Sequence, residues 1–318
     1  GGPGNDTLYG GMDSNATFND WPGNKLNGGA GNDSLFGQNS EDTLSGGSGH
    51  DSLEGRDGDD LLIGGLGADT LLGGHGVDTL RGDGGKDLLI GDMENSYYTP
   101  DLLKGGAGND TLRSQHGNDT LRGGGGDDRI EVLGSSQAVA KGESGADVFV
   151  IQSTGSATLS GGDGNDRIEM TGGSAVANGD GGDDVFVIRG GGSATLNGGS
   201  GDDRVDLMNG HAEAKGGSGA DVFVIRSTGA ATLSGGMDDD TFYLRGTGHM
   251  LLVDAAHDRG IDRIHSFDTA TDSITLTDAD SFSFYRYGGD KLKLIAGVAE
   301  LRFADLSYAD RDNLMIYI

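Results

Sequence analysis

The chain has 318 residues, of which 64 are glycine and none is cysteine, and its formal charge is −29. The acidic balance argues against nucleic acid and anionic membranes as partners, because both are themselves negatively charged. The absence of cysteine excludes a disulfide framework, and no apolar run is long enough to span a bilayer. Such a glycine content is typical of disordered chains, unless a strict repeat lets stacked units bury a shared core.

Residues 64–81 consist of two nine-residue units, GGLGADTLL and GGHGVDTLR, which share the pattern Gly-Gly-x-Gly-x-Asp-x-Leu-x. Three glycines in four positions predict a turn, because glycine adopts positive φ and allows close backbone approach. The last residues of the unit then form a short strand, whose apolar side chain at position 8 points inward. The aspartate at position 6 lies where the turn becomes the strand, among exposed carbonyl groups. Oxygen ligands of this kind suit Ca²⁺.

Units of this kind begin at positions 1, 10, 19, 28, 37, 46, 55, 64, 73 and 82 without a break in register. Two units make one coil, so alternate turns stack on the same edge and share a calcium ion. Without the ion, carboxylates stacked about 4.8 Å apart repel one another, so we expect the calcium-free chain to be poorly folded. Residues 10–27 are interpreted as two degenerate turns in which Asn15 and Asn24 replace the aspartate and weaken calcium binding.

Residues 91–104 are interpreted as a turn with five extra residues that returns to register at Asp101, and regular units follow at 105, 114 and 123. From there, aspartate-bearing units begin only at 142, 161, 179, 198, 216 and 235, about one full coil apart, with small-residue turns such as STGSATLS between them. We therefore predict calcium loops on both edges over residues 1–131 and on one edge over residues 132–253. Four large inward residues are expected to enlarge the later core: Phe149, Phe186, Phe223 and Phe242.

Residues 254–318 contain fewer glycines and several strand-like runs, and Gly-Gly-Asp at 288–290 between two alternating runs predicts a hairpin. This segment, with its apolar end LMIYI at 314–318, is expected to cover the open end of the solenoid, where strand edges are otherwise unpaired. The predicted fold class is therefore all-β: a parallel β-roll (β-solenoid) of nine-residue turns with a small C-terminal β-rich cap.

The nonamers from GGPGNDTLY at residue 1 to GGAGNDTLR at residue 105 resemble those of RTX proteins, which Gram-negative bacteria export by type I secretion. The resemblance extends over about residues 1–244, and IDRIHSFDTATDSITL at 261–276 is similar to a segment that often follows RTX arrays. It implies an array that is unfolded in the low-calcium cytosol, folds outside the cell and binds multiple Ca²⁺ ions. Loop carbonyls and position-6 carboxylates are the implied ligands: Asp6, Asp33, Asp42, Asp51, Asp60, Asp69, Asp78, Asp87, Asp101, Asp110, Asp119, Asp128, Asp147, Asp166, Asp184, Asp203, Asp221 and Asp240.

The sequence contains no His-Glu-x-x-His motif, no Gly-x-Ser-x-Gly elbow and no cysteine nucleophile, so we expect this chain to be non-enzymatic. Because it opens directly on a repeat, we expect a fragment of a larger protein, with any catalytic domain in the part before residue 1. The expected partners are calcium ions and the type I secretion machinery, and the expected location is extracellular or on the bacterial cell surface.

Two other functions stay open at this point. The chain is alternatively an adhesin or surface-layer segment that binds cell-surface glycan, ice or a neighbouring subunit. It is alternatively an accessory module of a polysaccharide-modifying enzyme such as a mannuronan epimerase. Calcium-driven folding without any glycan binding would favour the folding module over both of these alternatives.

Overall fold

The computed structural model describes residues 1–11, 23–92, 99–134, 137–152, 154–226, 230–246, 248–254, 260–277, 282–287, 291–296 and 299–317. These residues form an all-β structure, a parallel β-solenoid, which confirms the predicted fold class. Gly1–Gly162 and Asp163–Ile318 are two compact units, so the packing boundary differs from the divisions predicted at residues 131 and 253. The first predicted division separates two patterns of calcium loops and the second separates the β-roll from the C-terminal cap, and both stay predictions.

In the first unit, each strand pairs in parallel with the strand two places further along the chain, which produces two sheets. Equal positions of the nonapeptide stack in register, so that Leu62 lies opposite both Leu44 and Leu80. The strands are β1 Thr7–Tyr9, β2 Lys25–Ala30, β3 Ser34–Phe36, β4 Thr43–Ser48, β5 Ser52–Asp57, β6 Leu61–Leu66, β7 Thr70–His75, β8 Thr79–Gly84, β9 Leu88–Asp92, β10 Leu102–Ala107, β11 Thr111–Ser114, β12 Thr120–Gly125, β13 Arg129–Val132, β14 Gln137–Ser144, β15 Val148–Ile151 and β16 Ser156–Asp163.

The second unit repeats this alternate parallel pairing up to β28 and then changes. Its strands are β17 Arg167–Met170, β18 Ser174–Gly181, β19 Val185–Ile188, β20 Ser193–Ser200, β21 Arg204–Leu207, β22 His211–Ser218, β23 Val222–Ile225, β24 Ala231–Met237, β25 Thr241–Leu244, β26 Met250–Asp254, β27 Ile261–His265, β28 Ser273–Thr277, β29 Phe282–Tyr287, β30 Lys291–Ala296, β31 Ala299–Ser307 and β32 Met315–Tyr317. A 3₁₀ helix, Tyr308–Asn313, precedes β32.

The segment predicted as a cap contains both solenoid strands and a hairpin. β28 pairs in parallel with β26 and β32, and β27 pairs in parallel with β31. β29 and β30 are antiparallel, with Tyr287 opposite Lys291, which confirms the predicted hairpin. The hairpin residues 288–290 lie outside the described residues. Within the described part of the chain, no helix is long and apolar enough to cross a membrane.

The first coil departs from the predicted register. Thr7 lies opposite Ser34, three nonapeptides further on, whereas in a regular coil Thr43 lies opposite Leu61, two nonapeptides further on. This coil is therefore one nonapeptide longer than a regular coil. The interpretation of residues 10–27 as two degenerate turns falls mostly on residues 12–22, which lie outside the described residues, so it stays a prediction. Asn24 does occupy an aspartate position, and Asn15 lies outside the described residues.

The insertion before Asp101 is confirmed by the pairing of the strands on either side of it. Leu102 lies opposite Thr79, and the residues that follow it continue in step with those after Thr79. The chain therefore returns to the regular stacking immediately after the extra residues, as the sequence predicts.

The core is a column of inward side chains in each unit. Leu8 and Leu26, at the start of the first unit, are partly exposed. The later position-8 leucines of this unit are fully buried, as the alternation predicts: Leu35, Leu44, Leu53, Leu62, Leu71, Leu80, Leu89, Leu103, Leu112 and Leu121. The four phenylalanines predicted to point inward are also fully buried, Phe149 in the first unit and Phe186, Phe223 and Phe242 in the second. Burying each such side chain stabilises the fold by roughly 1.5–3 kcal/mol, so the cores supply the general driving force for folding.

Candidate metal centre

The position-6 aspartates stack above one another at the turns and form three ladders, each within one unit. The first ladder contains Asp6, Asp33, Asp51, Asp69, Asp87, Asp110, Asp128 and Asp147. The second ladder, at the opposite turns of the same unit, contains Asn24, Asp42, Asp60, Asp78, Asp101 and Asp119. The third ladder, in the second unit, contains Asp166, Asp184, Asp203, Asp221, Asp240 and Asp262. Every predicted ligand residue therefore lies in a ladder.

One oxygen of each ladder carboxylate is used by the backbone. The N–H of Asp51 donates to Oδ1 of Asp69 at 2.8 Å, and the N–H of Asp203 donates to Oδ1 of Asp221 at 2.8 Å. The same bond recurs from rung to rung in all three ladders. Because it joins the backbone of one turn to the side chain of the next, it orients every carboxylate in the same way.

The second oxygen is buried, and in most rungs it accepts no hydrogen bond within the described residues. This holds for Oδ2 of Asp33, Asp51, Asp60, Asp69, Asp78, Asp87, Asp101, Asp110, Asp128, Asp184, Asp203 and Asp221. Leaving a buried polar atom without a partner costs about 1–3 kcal/mol, and more when the group is charged. Each of these oxygens therefore requires either a proton or a cation beside it.

The surroundings of these oxygens consist of further oxygen donors. Oδ2 of Asp33 lies against Cα of Gly28, beside the carbonyl oxygen of Gly46 from the next turn. The same arrangement recurs at Gly73, where a side chain would overlap Oδ2 of Asp78. Carboxylate and carbonyl oxygens are the donors that Ca²⁺ prefers in proteins. The ladder residues therefore fit a hard divalent cation, which would neutralise the carboxylates of successive turns.

Burial raises the pKa of several ladder carboxyl groups above the ordinary value of 3.8. It raises the pKa of Asp60 to about 8, although the hydrogen bond from the Asp42 backbone opposes the change and neighbouring carboxylates add to it. Burial likewise raises the pKa of Asp128 and of Asp221 to about 7. Without a cation, these three carboxyl groups are therefore partly protonated near neutral pH, because their ionised form is poorly solvated.

The second ladder ends at Asp119, and alanine takes its place in later turns. Val139 lies opposite Thr120, so Ala138 occupies the position above Asp119. In the second unit four buried alanines stack on one another in strands β18, β20, β22 and β24: Ala175, Ala194, Ala212 and Ala231. These positions carry a methyl group where the second ladder carries a carboxylate. The prediction that ions bind on one edge only in this segment agrees with the placement and stays a prediction.

Asp262 and Asp272 are two buried aspartates that the nonapeptide count missed. Asp262 extends the third ladder, since its Oδ1 accepts the N–H of Asp240 at 3.1 Å. Asp272 accepts the N–H of His249 at Oδ1 and the N–H of Asp268 at Oδ2, at 2.9 and 2.8 Å. The signal in the sequence was Asp-x-Ile in both places, without the glycines that mark the other turns.

Asp92 is a third buried aspartate outside the predicted set, and it lies at position 2 of its turn instead of position 6. Its carboxylate approaches those of Asp101 and Asp119, with one oxygen from each residue within 4.8 Å of the others. Burial raises the pKa of Asp101 to about 9, and the charges of Asp119, Asp92 and Asp78 add to that change. No motif marks Asp92, because the five-residue insertion after it interrupts the pattern.

Fold and ladders together define a class of protein, the parallel β-solenoids with oxygen-lined turns for divalent cations. Residues 1–16, 23–53, 54–89 and 99–130 match the family model of the RTX calcium-binding nonapeptide repeat, in four copies. The chain thus contains RTX calcium-binding nonapeptide repeats over these residues.

No curated protein sequence matches this chain. Among solved structures, the chain is similar to the extracellular lipase LipA from Serratia marcescens, with 16% sequence identity and a TM-score of 0.33. The alignment covers 70% of this chain and 40% of the lipase chain. The chain therefore spans well under half the length of that lipase.

Proposed function

We propose that this chain binds multiple Ca²⁺ ions, folds on binding them after export, and stabilises the secreted protein that contains it. The observation that carries the proposal is the set of buried Oδ2 atoms without hydrogen-bond partners, such as those of Asp69 and Asp78. These oxygens are stable in ionised form only with a cation beside them. Calcium binding and folding are then one coupled reaction, because the unfolded chain has no preformed site.

Far-UV circular dichroism of the chain, with excess calcium and with a chelator, tests this proposal. We expect a β-rich spectrum with calcium, a largely unfolded spectrum with chelator, and recovery when calcium is restored. Magnesium at the same concentration is the control, and it should restore little structure because it needs a smaller octahedral site and loses water reluctantly. Identical spectra with calcium and with chelator would refute the proposal.

The proposed location is extracellular or the bacterial cell surface, and the proposed export partner is the type I secretion machinery. The RTX repeats support this proposal, as does a net charge of −29 that opposes folding when calcium is scarce. Co-expression of a protein that carries this chain with a type I transporter measures export. Transporter-dependent appearance in the medium is the expected result, and retention in the cells would count against this part of the proposal.

We propose that the chain itself is non-catalytic and that it acts through folding alone. Its buried carboxylates support this view, since the backbone of the neighbouring turn already occupies one oxygen of each. A glycan-binding assay in saturating calcium separates this function from the adhesin, surface-layer and polysaccharide-module alternatives. Calcium-dependent retention on a glycan would favour those alternatives, whereas folding without retention supports the folding module.

A further inference from the structure

We infer that Asp92, Asp101 and Asp119 form a three-carboxylate calcium site that differs from the repeat sites and binds the first ion. The inference rests on the proposed calcium-dependent function. The three side chains are at most 3% exposed, and one oxygen of each lies within 4.8 Å of the other two. Two of them, Asp101 and Asp119, are rungs of the second ladder, whereas Asp92 comes from outside the ladder.

Asp101 brings a buried, unpartnered oxygen to this cluster. Its Oδ1 accepts the N–H of Asp78 at 2.8 Å, while its Oδ2 is buried and accepts no hydrogen bond within the described residues. Oδ2 lies against Cα of Gly91, the residue next to Asp92. The acidic cluster thus contains an oxygen that is already desolvated and still lacks a ligand, which is what a bound cation would supply.

Local contacts hold the other two carboxylates in position. Thr99 donates its Oγ1 hydrogen to Oδ1 of Asp92 at 3.3 Å. Asp119 accepts the N–H of Asp101 at 2.9 Å through Oδ1 and the hydroxyl of Ser114 through Oδ2. Ser114 replaces the usual position-1 glycine in the turn of Asp119, and Asp92 replaces the usual position-2 glycine in the turn of Asp101. Both turns of the cluster therefore differ from the regular repeat.

The third carboxylate changes the charge of the site. Successive rungs elsewhere in a ladder offer two carboxylates, with a formal charge of −2, whereas this cluster offers three. Calcium affinity in oxygen-only sites rises with the number of charged ligands, so the first ion should bind here about tenfold or more tightly than at a regular pair of turns. A trivalent lanthanide should show the same preference, because its charge matches the three carboxylates.

Calorimetric calcium titration of the full chain after chelation tests this assignment. Asp92→Asn should weaken the first binding step by about tenfold or more, because it removes one of three charged ligands. Asp83→Asn is the matched control, since Asp83 also lies at position 2 of its turn but forms an exposed ion pair with Arg81 at 2.7 Å. Asp83→Asn should leave the first binding step unchanged. If Asp92→Asn binds its first ion as tightly as the unaltered chain and Asp83→Asn do, the inference is overturned.

Two further observations distinguish a failure of the proposed function from a failure of the inference about the Asp92 cluster. If the unaltered chain shows no calcium heat, the proposed function fails before the cluster is tested. If Asp92→Asn does not fold in calcium, a crystal of the unaltered chain with less than one equivalent of terbium answers the question. Anomalous scattering at the cluster supports the inference, whereas terbium at regular turns with an empty cluster overturns it.

Discussion

At Gly64, glycine at position 1 of the repeat leaves room for the carboxylate at position 6. A side chain at Gly64 would overlap Oδ2 of Asp69, so only glycine leaves that oxygen in its cradle. Glycine at position 2 is favoured for a different reason. Gly65 has a φ of +112° and lies against the carbonyl oxygen of Gly47, so a side chain there would be strained and would overlap the neighbouring turn. The glycines therefore preserve both the metal-binding oxygens and the close stacking of the turns.

The Gly64→Ala variant should lose about 1–3 kcal/mol of calcium-bound stability, the usual cost of forcing a methyl group into a packed site. Gly84→Ala is the control, because a methyl group at Gly84 would lie 3.5 Å from Cδ2 of Leu66 and the backbone there has no positive φ. The control should be neutral or stabilising by up to about 1 kcal/mol. Urea unfolding in saturating calcium measures both variants, and equal stabilities would contradict the steric role of Gly64.

Acidification should have opposite effects on the calcium-free and the calcium-bound chain. In the calcium-free fold, burial raises the pKa of Asp60 to about 8 and of Asp87 to about 7, above the ordinary value of 3.8. At pH values between the ordinary pKa of 3.8 and the raised pKa of each group, the folded state binds more protons than the unfolded state. The stability of the calcium-free fold therefore rises as the pH falls through this range. Calcium competes with the same protons, so calcium affinity falls over that range.

Circular dichroism at about pH 8 and about pH 5 checks both directions. The chelated protein should gain β-structure at the lower pH, and the calcium concentration that half-folds the chain should increase. Loss of residual structure in the chelated protein on acidification would show that the raised pKa values do not govern its folding.

At the scale of strands, the second unit contains an apolar column whose phenylalanine side chains are larger than the leucines of the first. Phe186, Val205, Phe223 and Phe242 lie opposite one another on β19, β21, β23 and β25. The rings of Phe223 and Phe242 stack with centroids 4.8 Å apart. Because β18, β20, β22 and β24 carry alanine in place of the ladder aspartate, the larger side chains add burial where a second set of carboxylates is missing.

Phe223→Ala should therefore cost about 3–5 kcal/mol of stability in saturating calcium, since it leaves a cavity in the stack. Val176→Ala is the control, because Val176 is 49% exposed on the outer face, and it should change the stability by less than about 0.5 kcal/mol. Chemical unfolding at fixed calcium concentration measures the difference. A cost for Phe223→Ala no larger than the control would mean that the column is not what holds this unit together.

At the scale of the whole molecule, charge decides when the chain folds. It contains 51 acidic and 22 basic residues, so its formal charge is −29, and about fifteen divalent ions would cancel it. In chelator we expect a radius of gyration of roughly 60 Å, the value for an unfolded chain of this length. Calcium should cause a collapse that potassium at equal ionic strength does not, because screening supplies no ligand to buried oxygens.

Small-angle X-ray scattering in chelator, in calcium and in potassium measures this difference. Folding in potassium alone would show that screening of the net charge is sufficient. It would also show that the unpartnered oxygens do not need a specific ion, which would weaken the proposed function at the same time.

Most of the fold could be predicted from the sequence because each turn obeys the same short-range rules. The glycines mark the turns, Leu71 and its equivalents mark the core, and the aspartates mark the ladder rungs. The predicted stacking failed in the first coil, where the nine-residue period of the sequence does not show how many nonapeptides make up one coil. Thr7 lies opposite Ser34 and Thr43 lies opposite Leu61, so the nine-residue period continues while the coil grows from two nonapeptides to three.

By itself, the sequence determined the repeat, the buried position-8 residues and the turns that carry a carboxylate, because these depend on neighbours within one nonapeptide. Only the tertiary structure decided which turns stack on one another. It added Asp262 to the third ladder and brought Asp92 to Asp101 and Asp119. Those contacts depend on how a turn with an insertion is packed against the next one, and the spacing of residues along the chain does not contain that information.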